Sequence, residues 1–388
     1  MYNGWLILFF GSVFLIVHTY LVYPLLMILF FKKQKKHISN YQKNNELPSI
    51  TLLIAAYNEE QILYQKLKSV INTKYPLEKV YIIVGSDAST DSTNSIVTNF
   101  KNEFNNIDLI NFEARTGKIN IINHLQTLVK TDLILLNDAN VFFLPDTLFE
   151  LVKYFKDKKV GLVAANIIKQ SPIHKGIVSQ EIAYINIENK IKLSESNAWQ
   201  AFMGAEGGCF AMRTANFKPI PFNFIVDDFY LTMEVIKQKK YTLFNDKAIC
   251  SEEVFDDKKA EYKRKVRIST GNFQNLIYYK SLLLPLWKGT AFAFLSHKVL
   301  RWFTPFLLII CLLSLSFLAF YSNVFFYLLV CQVISFLLPL IDKIVPIKLK
   351  PLNFVSHFYL MNFALLKGFI NYCKGVKTNV WQPVKRNV

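Results

Sequence analysis

The stretch ITLLIAAYNEE, residues 50–60, indicates an alternation of strand and helix, because an apolar strand-like run stops at a polar turn that opens a helical pattern. The same change from apolar to polar recurs in VYIIVGSDASTD (80–91) and in LILLNDAN (133–140). The strands are predicted at Ile50–Ala55, Val80–Gly85 and Leu133–Asn137, and the helices over 59–72 and from about Asp91. This alternation predicts an α/β fold with a parallel sheet and helices on both of its faces.

Polar residues at the ends of these strands are the candidates for chemistry, because ligands of open α/β sheets bind beyond the carboxyl ends of the strands. After the first strand, Asn58 could instead cap the next helix, with the two glutamates that follow favouring the helix N-terminus. Asp87 stands at the tip of the second strand, where a carboxylate can accept hydrogen bonds from a base or a ribose. Ser89 or Asp91 could simply cap the helix that follows.

Two further segments suit metal or anionic ligands. Asp138 and Asn140, at positions i and i+2 of a loop, can face one hard cation such as Mg²⁺, although the same spacing is common in ordinary turns. The run Arg115-Thr116-Gly117-Lys118 places two cations and a flexible backbone before a helix, which suits a diphosphate as well as a plain solvated loop.

The composition excludes several classes of protein. Of the 388 residues, 52% are hydrophobic and 19% are charged, while Gly, Pro and Cys are scarce, so disordered, collagen-like and disulfide-scaffold proteins are excluded. The net charge of +17 would suit nucleic acid, anionic lipid or phosphorylated substrates, and the hydrophobic excess favours the last two. The five cysteines form no CxxC pair, which argues against a zinc site or a disulfide framework.

The hydrophobic residues are concentrated in membrane-type segments. Residues 1–31 carry no charged side chain and exceed the ~20 residues that span a bilayer, and the lysines that follow from Lys32 place the next segment in the cytoplasm. The charge-free run Trp302–Ile341 is long enough for two passes joined at Tyr321-Ser322-Asn323. Leu352–Tyr372 is weaker, because His357 and Lys367 interrupt it, and either spans the membrane or lies in the interface.

These patterns predict four regions. They are an N-terminal transmembrane helix (1–31), an α/β domain (46–255), basic and amphipathic interfacial helices (256–300) and a C-terminal transmembrane region with a basic tail (301–388).

The ordered combination of motifs resembles the membrane-bound family 2 glycosyltransferases. The matching segments are Tyr57-Asn58-Glu59, Ser86–Asp91, Gly117-Lys118, Asp138-Ala139-Asn140, Gly204–Gly207 with Met212-Arg213, Val226–Phe229, and Arg264–Ile268 at the position of a Q-R-x-R-W motif. The resemblance covers about residues 48–275, and the flanking helices are similar to those of the cellulose, hyaluronan and poly-N-acetylglucosamine synthases.

That resemblance implies a GT-A fold, a nucleotide-sugar donor that is commonly UDP-linked, and Mg²⁺ or Mn²⁺ as cofactor. The residues that it places around the nucleotide sugar are Ala55, Tyr57, Glu59, Asp87, Lys118 and Asp138. Asp138 would also hold the metal that bridges the diphosphate, with Asn140 as a second candidate ligand where the family usually has an acid.

Asp228 would be the general base that takes a proton from the acceptor hydroxyl, and one direct displacement would invert the anomeric configuration. The alternative is that Asp227 and Asp228 merely favour a helix N-terminus. Asp227, Arg264 and Arg267 would bind the acceptor or the diphosphate, although the basic cluster around Arg264 could also hold a juxtamembrane helix on anionic lipid.

The expected function is transfer of a sugar to a saccharide or lipid-linked acceptor at the cytosolic face of a bacterial inner membrane, in cell-envelope or exopolysaccharide synthesis. Ile268 replaces the family's Trp and Arg264 its Gln, which counts against processive synthesis and leaves transfer of a single sugar as the alternative. An inactive nucleotide-sugar-binding scaffold is the non-enzyme alternative. Expected partners are the donor, the acceptor and membrane lipids, with further copies of the chain as an open alternative and no nucleic acid. Trp381 and Arg386 resemble a tail motif of these enzymes, or belong to a plain basic tail.

Overall fold

The computed structural model describes residues 1–32, 38–170, 177–253, 258–344 and 349–376. The chain divides into two compact units. The sheet unit comprises Phe31–His174 and Ile182–Phe255, and the helical unit comprises Met1–Phe30, Lys175–Glu181 and Asp256–Gly375.

An eight-stranded mixed sheet organises the sheet unit. Its strands are β1 (Ile50–Ala56), β2 (Val80–Asp87), β3 (Ile107–Phe112), β4 (Leu133–Asn137), β5 (Val141–Phe143), β6 (Val160–Gln170), β7 (Cys209–Arg213) and β8 (Tyr241–Glu253). They lie in the order β3-β2-β1-β4-β7-β6-β8-β5. The three predicted strands are confirmed, with β1 and β2 extending one and two residues further than predicted.

The prediction of a parallel sheet is wrong for two of the eight strands, β7 and β5, which run against the other six. Strands β3, β2, β1 and β4 are parallel, as predicted, but β7 runs antiparallel to both β4 and β6, and β5 runs antiparallel to β8. The prediction rested on β1, β2 and β4, which are among the six strands that run in one direction. Since a buried strand is equally apolar in either direction, hydrophobicity alone did not reveal the reversal.

Six helices of the described residues accompany the sheet. They are α3 (Glu60–Ile71), α4 (Thr93–Glu103), α5 (Lys118–Thr127), α6 (Thr147–Val152), α7 (Ile177–Trp199) and α8 (Asp227–Lys237). Of these, α3, α4, α5, α6 and α8 pack on its strands. The predicted helices over 59–72 and from about Asp91 correspond to α3 and α4. Helix α3 buries Leu63, Lys66, Leu67 and Val70 at the i, i+3, i+4, i+7 spacing of one helical face.

The helical unit contains the membrane-type segments. Its helices are α1 (Tyr2–Val17) and α2 (Tyr23–Phe30), joined by a π-helical turn, then α9 (Lys258–Tyr278), α10 (Gly289–Ala293), α11 (Leu300–Leu318), α12 (Asn323–Ile344) and α13 (Lys350–Cys373). Among the described residues, three continuous helices are long and apolar enough to cross a membrane: Tyr2–Phe30, Gly289–Leu318 and Asn323–Asp342.

The bounds of these helices refine the prediction. The turn between α11 and α12 lies where the two passes were expected to join, but the first of these two helices begins at Gly289 rather than at Trp302. Lys298 and Arg301 lie inside this helix just before the charge-free run, which is why the predicted segment began late. Helix α13 contains the weaker segment and is not among the three candidate spans.

Candidate active site

Two loops at the carboxyl ends of β1 and β2 are tied together by reciprocal hydrogen bonds. The Asn58 side chain, on a residue with φ of 52°, accepts a hydrogen bond from the Thr90 amide at 2.9 Å. The Glu60 amide donates to Asp91 at 3.1 Å, and the Ser92 amide donates to Glu60 at 3.0 Å. Asn58 therefore fixes the neighbouring loop rather than capping its own helix, so the capping alternative is wrong for this residue.

Asp87, at the end of β2, is fully buried and is bound by the chain itself. Its carboxylate accepts hydrogen bonds from Arg115 Nε at 3.0 Å and from the amides of Thr116 and Gly117. The Arg115 guanidinium lies 3.4 Å above the centre of the Tyr57 ring, as in a cation–π contact. Asp87 thus orders the segment that begins at Arg115 and leads into Lys118.

Ala55 and Glu59 lie on either side of Tyr57. Ala55 is partly buried in β1, where it is paired with Gly85 of β2. Glu59 is buried, and its amide donates to the Thr93 hydroxyl at 2.9 Å. The carboxyl ends of β1 and β2 therefore carry the predicted nucleotide-binding residues Ala55, Tyr57, Glu59 and Asp87.

Lys118 connects two of the predicted acidic residues. It is the first residue of α5 and follows Gly117, whose φ of 87° suits glycine. Its Nζ lies 2.8 Å from Asp138 Oδ1 and 3.4 Å from Asp227 Oδ2. Burial alone lowers the pKa of Lys118, but the Asp138 and Asp227 carboxylates outweigh burial, so its pKa lies above the usual value.

Asp228 lies in the first turn of α8 beside this cluster. Burial, and after it the Asp227 carboxylate, raise the pKa of Asp228 to about 7 against the opposing effect of Lys118. A Cβ on Gly207 would lie 3.0 Å from Asp228 Oδ2 and 3.6 Å from Lys118 Nζ. The absence of a side chain at Gly207 therefore keeps open the space in front of Asp228 and Lys118.

The loop that contains Gly207 is fixed on both sides. The Asp138 amide donates to the Gly208 carbonyl at 3.1 Å, which attaches the loop to the end of β4. The Ala205 amide donates to the Thr232 hydroxyl at 3.0 Å, and that hydroxyl donates to the Asp228 carbonyl at 2.7 Å. Asp138, Gly207 and Asp228 are thereby held in one constellation.

Asp138 fits a divalent cation that shares its remaining ligands with a substrate. Its side chain is 39% exposed, and Lys118 contacts one of its two oxygens. The described residues include no group of three or more His, Cys, Asp or Glu side chains able to hold a metal. Since Mg²⁺ commonly takes one or two carboxylates plus substrate phosphates, a single exposed carboxylate beside an anion-binding lysine suits it.

Asn140 has a protein partner of its own. Its Nδ2 donates to Glu252 Oε1 at 3.0 Å, and Glu252 is also ion-paired with Lys169. Asn140 lies two residues after Asp138 in the same turn, but the amide nitrogen of its side chain is hydrogen-bonded to Glu252 of β8. Metal ligation by Asn140 stays a prediction.

A second charged cluster escaped the sequence analysis. Glu206, in the same loop as Gly207, is 2.8 Å from Lys192 of α7. Burial alone raises the pKa of Glu206, but Lys192 and Lys169 outweigh burial and lower it. These charges come from segments far apart in the chain, so no local motif could have revealed them.

Arg264 and Arg267 lie on α9 of the helical unit. Arg264 forms a paired contact with Glu261 of the same helix, at 2.8 and 3.0 Å. The tail residues Trp381 and Arg386 lie outside the described residues.

Comparison with known proteins identifies the sheet unit. Residues 51–218 match the sequence profile of glycosyl transferase family 2. The chain is 30% identical to the poly-beta-1,6-N-acetyl-D-glucosamine synthase of Staphylococcus epidermidis over 195 residues, 46% of each chain. It is also 30% identical to the beta-monoglucosyldiacylglycerol synthase of Nostoc over 128 residues, 32% of this chain and 27% of that one. The chain thus spans less than half the length of these two curated relatives.

A solved structure extends the likeness in fold. The mannosyltransferase PcManGT from Pyrobaculum calidifontis, in complex with GDP-Man and Mn²⁺, superposes with a TM-score of 0.70 at 20% identity, over 94% of this chain and 99% of that one. This likeness confirms the GT-A fold that the ordered motifs implied. Within that fold, residues 51–218 carry the glycosyl transferase family 2 domain.

Proposed function

We propose that this chain is an inverting glycosyltransferase that moves a sugar from a nucleoside-diphosphate donor, expected to be UDP-linked, to a saccharide or lipid-linked acceptor. The observation that carries the proposal is the cluster of Lys118, Asp138, Asp227 and Asp228 around the open space at Gly207. It combines a raised-pKa carboxylate, a cation and a partly exposed carboxylate. These are the groups that proton removal and departure of a diphosphate require.

Asp228 is the proposed general base. Its oxygen Oδ2 borders the open space at Gly207, so an acceptor hydroxyl placed there could donate its proton to it. A pKa of about 7 matches a base that works near neutral pH. The deprotonated hydroxyl oxygen then attacks the anomeric carbon as the bond to the diphosphate breaks, and this single displacement inverts the configuration.

Lys118 and Asp138 are the proposed groups for the leaving diphosphate. Lys118 supplies a permanent positive charge, since its pKa lies above the usual lysine value. Asp138 would hold Mg²⁺ or Mn²⁺, which neutralises charge on the departing diphosphate when bound. The neighbouring carboxylates keep Lys118 aimed at this position before any substrate binds.

The proposed nucleotide site lies at the carboxyl ends of β1 and β2 and contains Ala55, Tyr57, Glu59 and Asp87. Tyr57 and Arg115 already stack on each other, which places an aromatic face and a guanidinium where a base could lie. Asp87 is occupied by Arg115 and by the amides that follow it. Its proposed role toward the nucleotide therefore includes ordering this segment.

The acceptor side is proposed to lie at the cytosolic membrane face. Three candidate spans and a basic segment after the first of them support this placement. Arg264 and Arg267 are proposed to bind anionic groups, either the diphosphate or lipid phosphates. In the proposed division of the chain, the transferase domain covers 46–255, and the 256–300 segment belongs to the membrane surface.

Two products are consistent with the relatives. One relative is named for a polymer, poly-beta-1,6-N-acetyl-D-glucosamine, and the other for a single-sugar lipid, monoglucosyldiacylglycerol. Ile268 and Arg264 in place of the usual Trp and Gln favour the single-sugar product.

A panel of radiolabelled UDP- and GDP-sugars, given to the purified full chain in native lipid with Mn²⁺ or Mg²⁺, tests the proposal. We expect one donor to release its nucleoside diphosphate, with the label in a lipid extract as a single-sugar product. Asp138→Asn should abolish the metal-dependent rate, whereas Asp146→Asn, at an exposed surface pair with Lys43, should not. A donor that binds without turnover across all acceptors would support the inactive scaffold instead, and a labelled polymer would favour the processive version.

A further inference from the structure

Lys66 is a charged side chain that the proposed reaction does not use, yet it is fully buried. It lies on the core-facing side of α3 together with Leu63, Leu67 and Val70. Taking an ammonium group out of water costs free energy unless other groups bind it. The contacts of Lys66 therefore show what its charge is used for.

The Lys66 ammonium binds strand β5. Its Nζ donates to the Val141 carbonyl at 2.5 Å and lies 3.8 Å from the centre of the Phe143 ring. Burial lowers the pKa of Lys66 to about 8, while Cys209, Cys250 and Asp138 act in the opposite direction. A carbonyl dipole and an aromatic face thus replace part of the water that the ammonium has lost.

Ser69, one turn further along α3, makes a similar contact. Its hydroxyl accepts a hydrogen bond from the Phe143 amide at 3.2 Å. Strand β5 lies at the edge of the sheet and pairs only with β8 in the described sheet. The side chains of α3 therefore bind backbone groups of β5 as a neighbouring strand would.

Val141 connects these contacts between α3 and β5 with the turn that contains Asp138. The Val141 amide donates to the Asp138 carbonyl at 3.2 Å and closes the turn that contains Asp138 and Asn140. The carbonyl of the same residue accepts from Lys66. One peptide segment is thus held from the site side by the turn and from the core side by the lysine.

We propose that Lys66 is a positioning residue that, through Val141, fixes the turn presenting Asp138 to the divalent cation and the diphosphate. This inference rests on the proposed function. The groups behind a metal ligand commonly matter for affinity, and their removal typically weakens metal binding about 10- to 100-fold. Asp138 acts on Lys66 only as the weakest of the groups that oppose burial. Since loss of a nearby positive charge would by itself favour cation binding, weaker Mn²⁺ binding after removal of Lys66 would report the geometry of the turn.

Mn²⁺ binding to the purified full chain tests this, measured from the electron paramagnetic resonance signal of free Mn²⁺ with saturating UDP and, separately, GDP. Lys66→Met keeps the length of the side chain and removes the donor. We expect its Mn²⁺ dissociation constant to rise about tenfold. Ser69→Ala removes the acceptor of the Phe143 amide, which lies further along the chain from Asp138 than Val141 does. It should therefore raise the Mn²⁺ dissociation constant less than Lys66→Met does. Lys68→Met, on the exposed side of the same helix, should have none.

Thermal unfolding separates positioning from general loss of structure. Leu67→Ala removes a buried neighbour of Lys66 and should lower Tm while leaving Mn²⁺ affinity near that of the wild type. The proposal is overturned if Lys66→Met binds Mn²⁺ with the affinity of the wild type. It is also overturned if Leu67→Ala, with the same Tm as Lys66→Met, weakens Mn²⁺ binding by the same factor. A wild-type chain that binds no Mn²⁺ and releases no nucleoside diphosphate would overturn the proposed function, and this inference with it.

Discussion

At the scale of single residues, the site depends on how charges modify one another. Asp228 is surrounded by Asp227, Lys118 and Asp138, so its affinity for a proton reports the balance of two like charges and one opposite charge. Burial and Asp227 together prevail over Lys118, and the pKa of Asp228 is raised to about 7. An ordinary aspartate would be ionised well below this pH.

The pH dependence of turnover follows from that shift. A general base must be ionised, so kcat/KM should rise tenfold per pH unit below about 7 and level off above it. Asp227→Asn removes a like charge and should move this acid limb to lower pH. Profiles of the two proteins over pH 5–9, with Asp146→Asn as the control, check this. An acid limb at the same pH in Asp227→Asn and in the wild type would show that Asp227 does not raise the pKa of Asp228.

Asn140→Asp discriminates between a metal ligand and a structural partner. The new carboxylate would face Glu252, which now accepts a hydrogen bond from the Asn140 amide at 3.0 Å. Like charges at this distance repel, so we expect Asn140→Asp to lower kcat/KM about tenfold and more than Asn140→Ala does. A gain in Mn²⁺ affinity and turnover would instead make position 140 a metal ligand.

At the scale of secondary structure, loops at the sheet edge carry the chemistry and glycines shape them. Gly204 has a φ of 86°, and a Cβ there would lie only 2.6 Å from the Phe229 ring. Phe229 follows Asp228 at the start of α8, so a shift of the ring would also disturb the base.

Gly204→Ala should therefore reduce both stability and rate. Strain of this kind costs about 1–3 kcal/mol, and Tm should fall by several degrees with a loss of kcat. Gly4→Ala, in α1, where nothing lies within 4 Å, is the matched control. An unchanged Tm and kcat in Gly204→Ala would contradict the close packing of this loop on α8.

The sequence predicts those strands and helices that are defined by the residues of a single short stretch of chain. Strands β1, β2 and β4 were predictable because each is an apolar run that ends at a polar turn. The reversed strand β7 and the three-residue strand β5 were not, since neither direction nor edge position changes the apolar pattern. Contacts such as Asn140 with Glu252, 112 residues apart, also leave no local trace.

The constellation around Lys118 was only partly predictable. The family resemblance implied Lys118, Asp138, Asp227 and Asp228 one by one. In the structure Lys118 lies within ion-pair distance of Asp138 and Asp227, and Asp228 follows Asp227 in α8. The burial of Lys66 was not predictable, because a lysine within an amphipathic helix normally lies on the solvated face. Its burial is a property of the tertiary structure.

At the scale of the whole molecule, the membrane topology follows from the candidate spans and the flanking charges. Lys32 follows the first span, and the positive-inside rule predicts that it faces the cytosol. In this proposed orientation the next two spans would leave and re-enter the cytosolic side, and the turn at Ser322 would face the outside.

Labelling with a membrane-impermeant maleimide checks that topology. The exposed Cys331 and Cys373 are first replaced by Ser. A cysteine at Ser322 should then react in intact cells, and one at the exposed Asn105 of the sheet unit should react only after permeabilisation. Reaction of the Asn105 position in intact cells would place the transferase domain outside and contradict the proposed cytosolic donor.

The central claim, that Asp228 removes the acceptor proton within the Lys118 cluster, is tested most directly by turnover of Asp228→Asn with a matched measurement of donor binding. The amide cannot take up the proton, so kcat should fall about 10²- to 10⁴-fold, while the donor dissociation constant stays within about threefold of the wild-type value. An Asp228→Asn protein that turns over at the wild-type rate would contradict the account, because another group would then be the base.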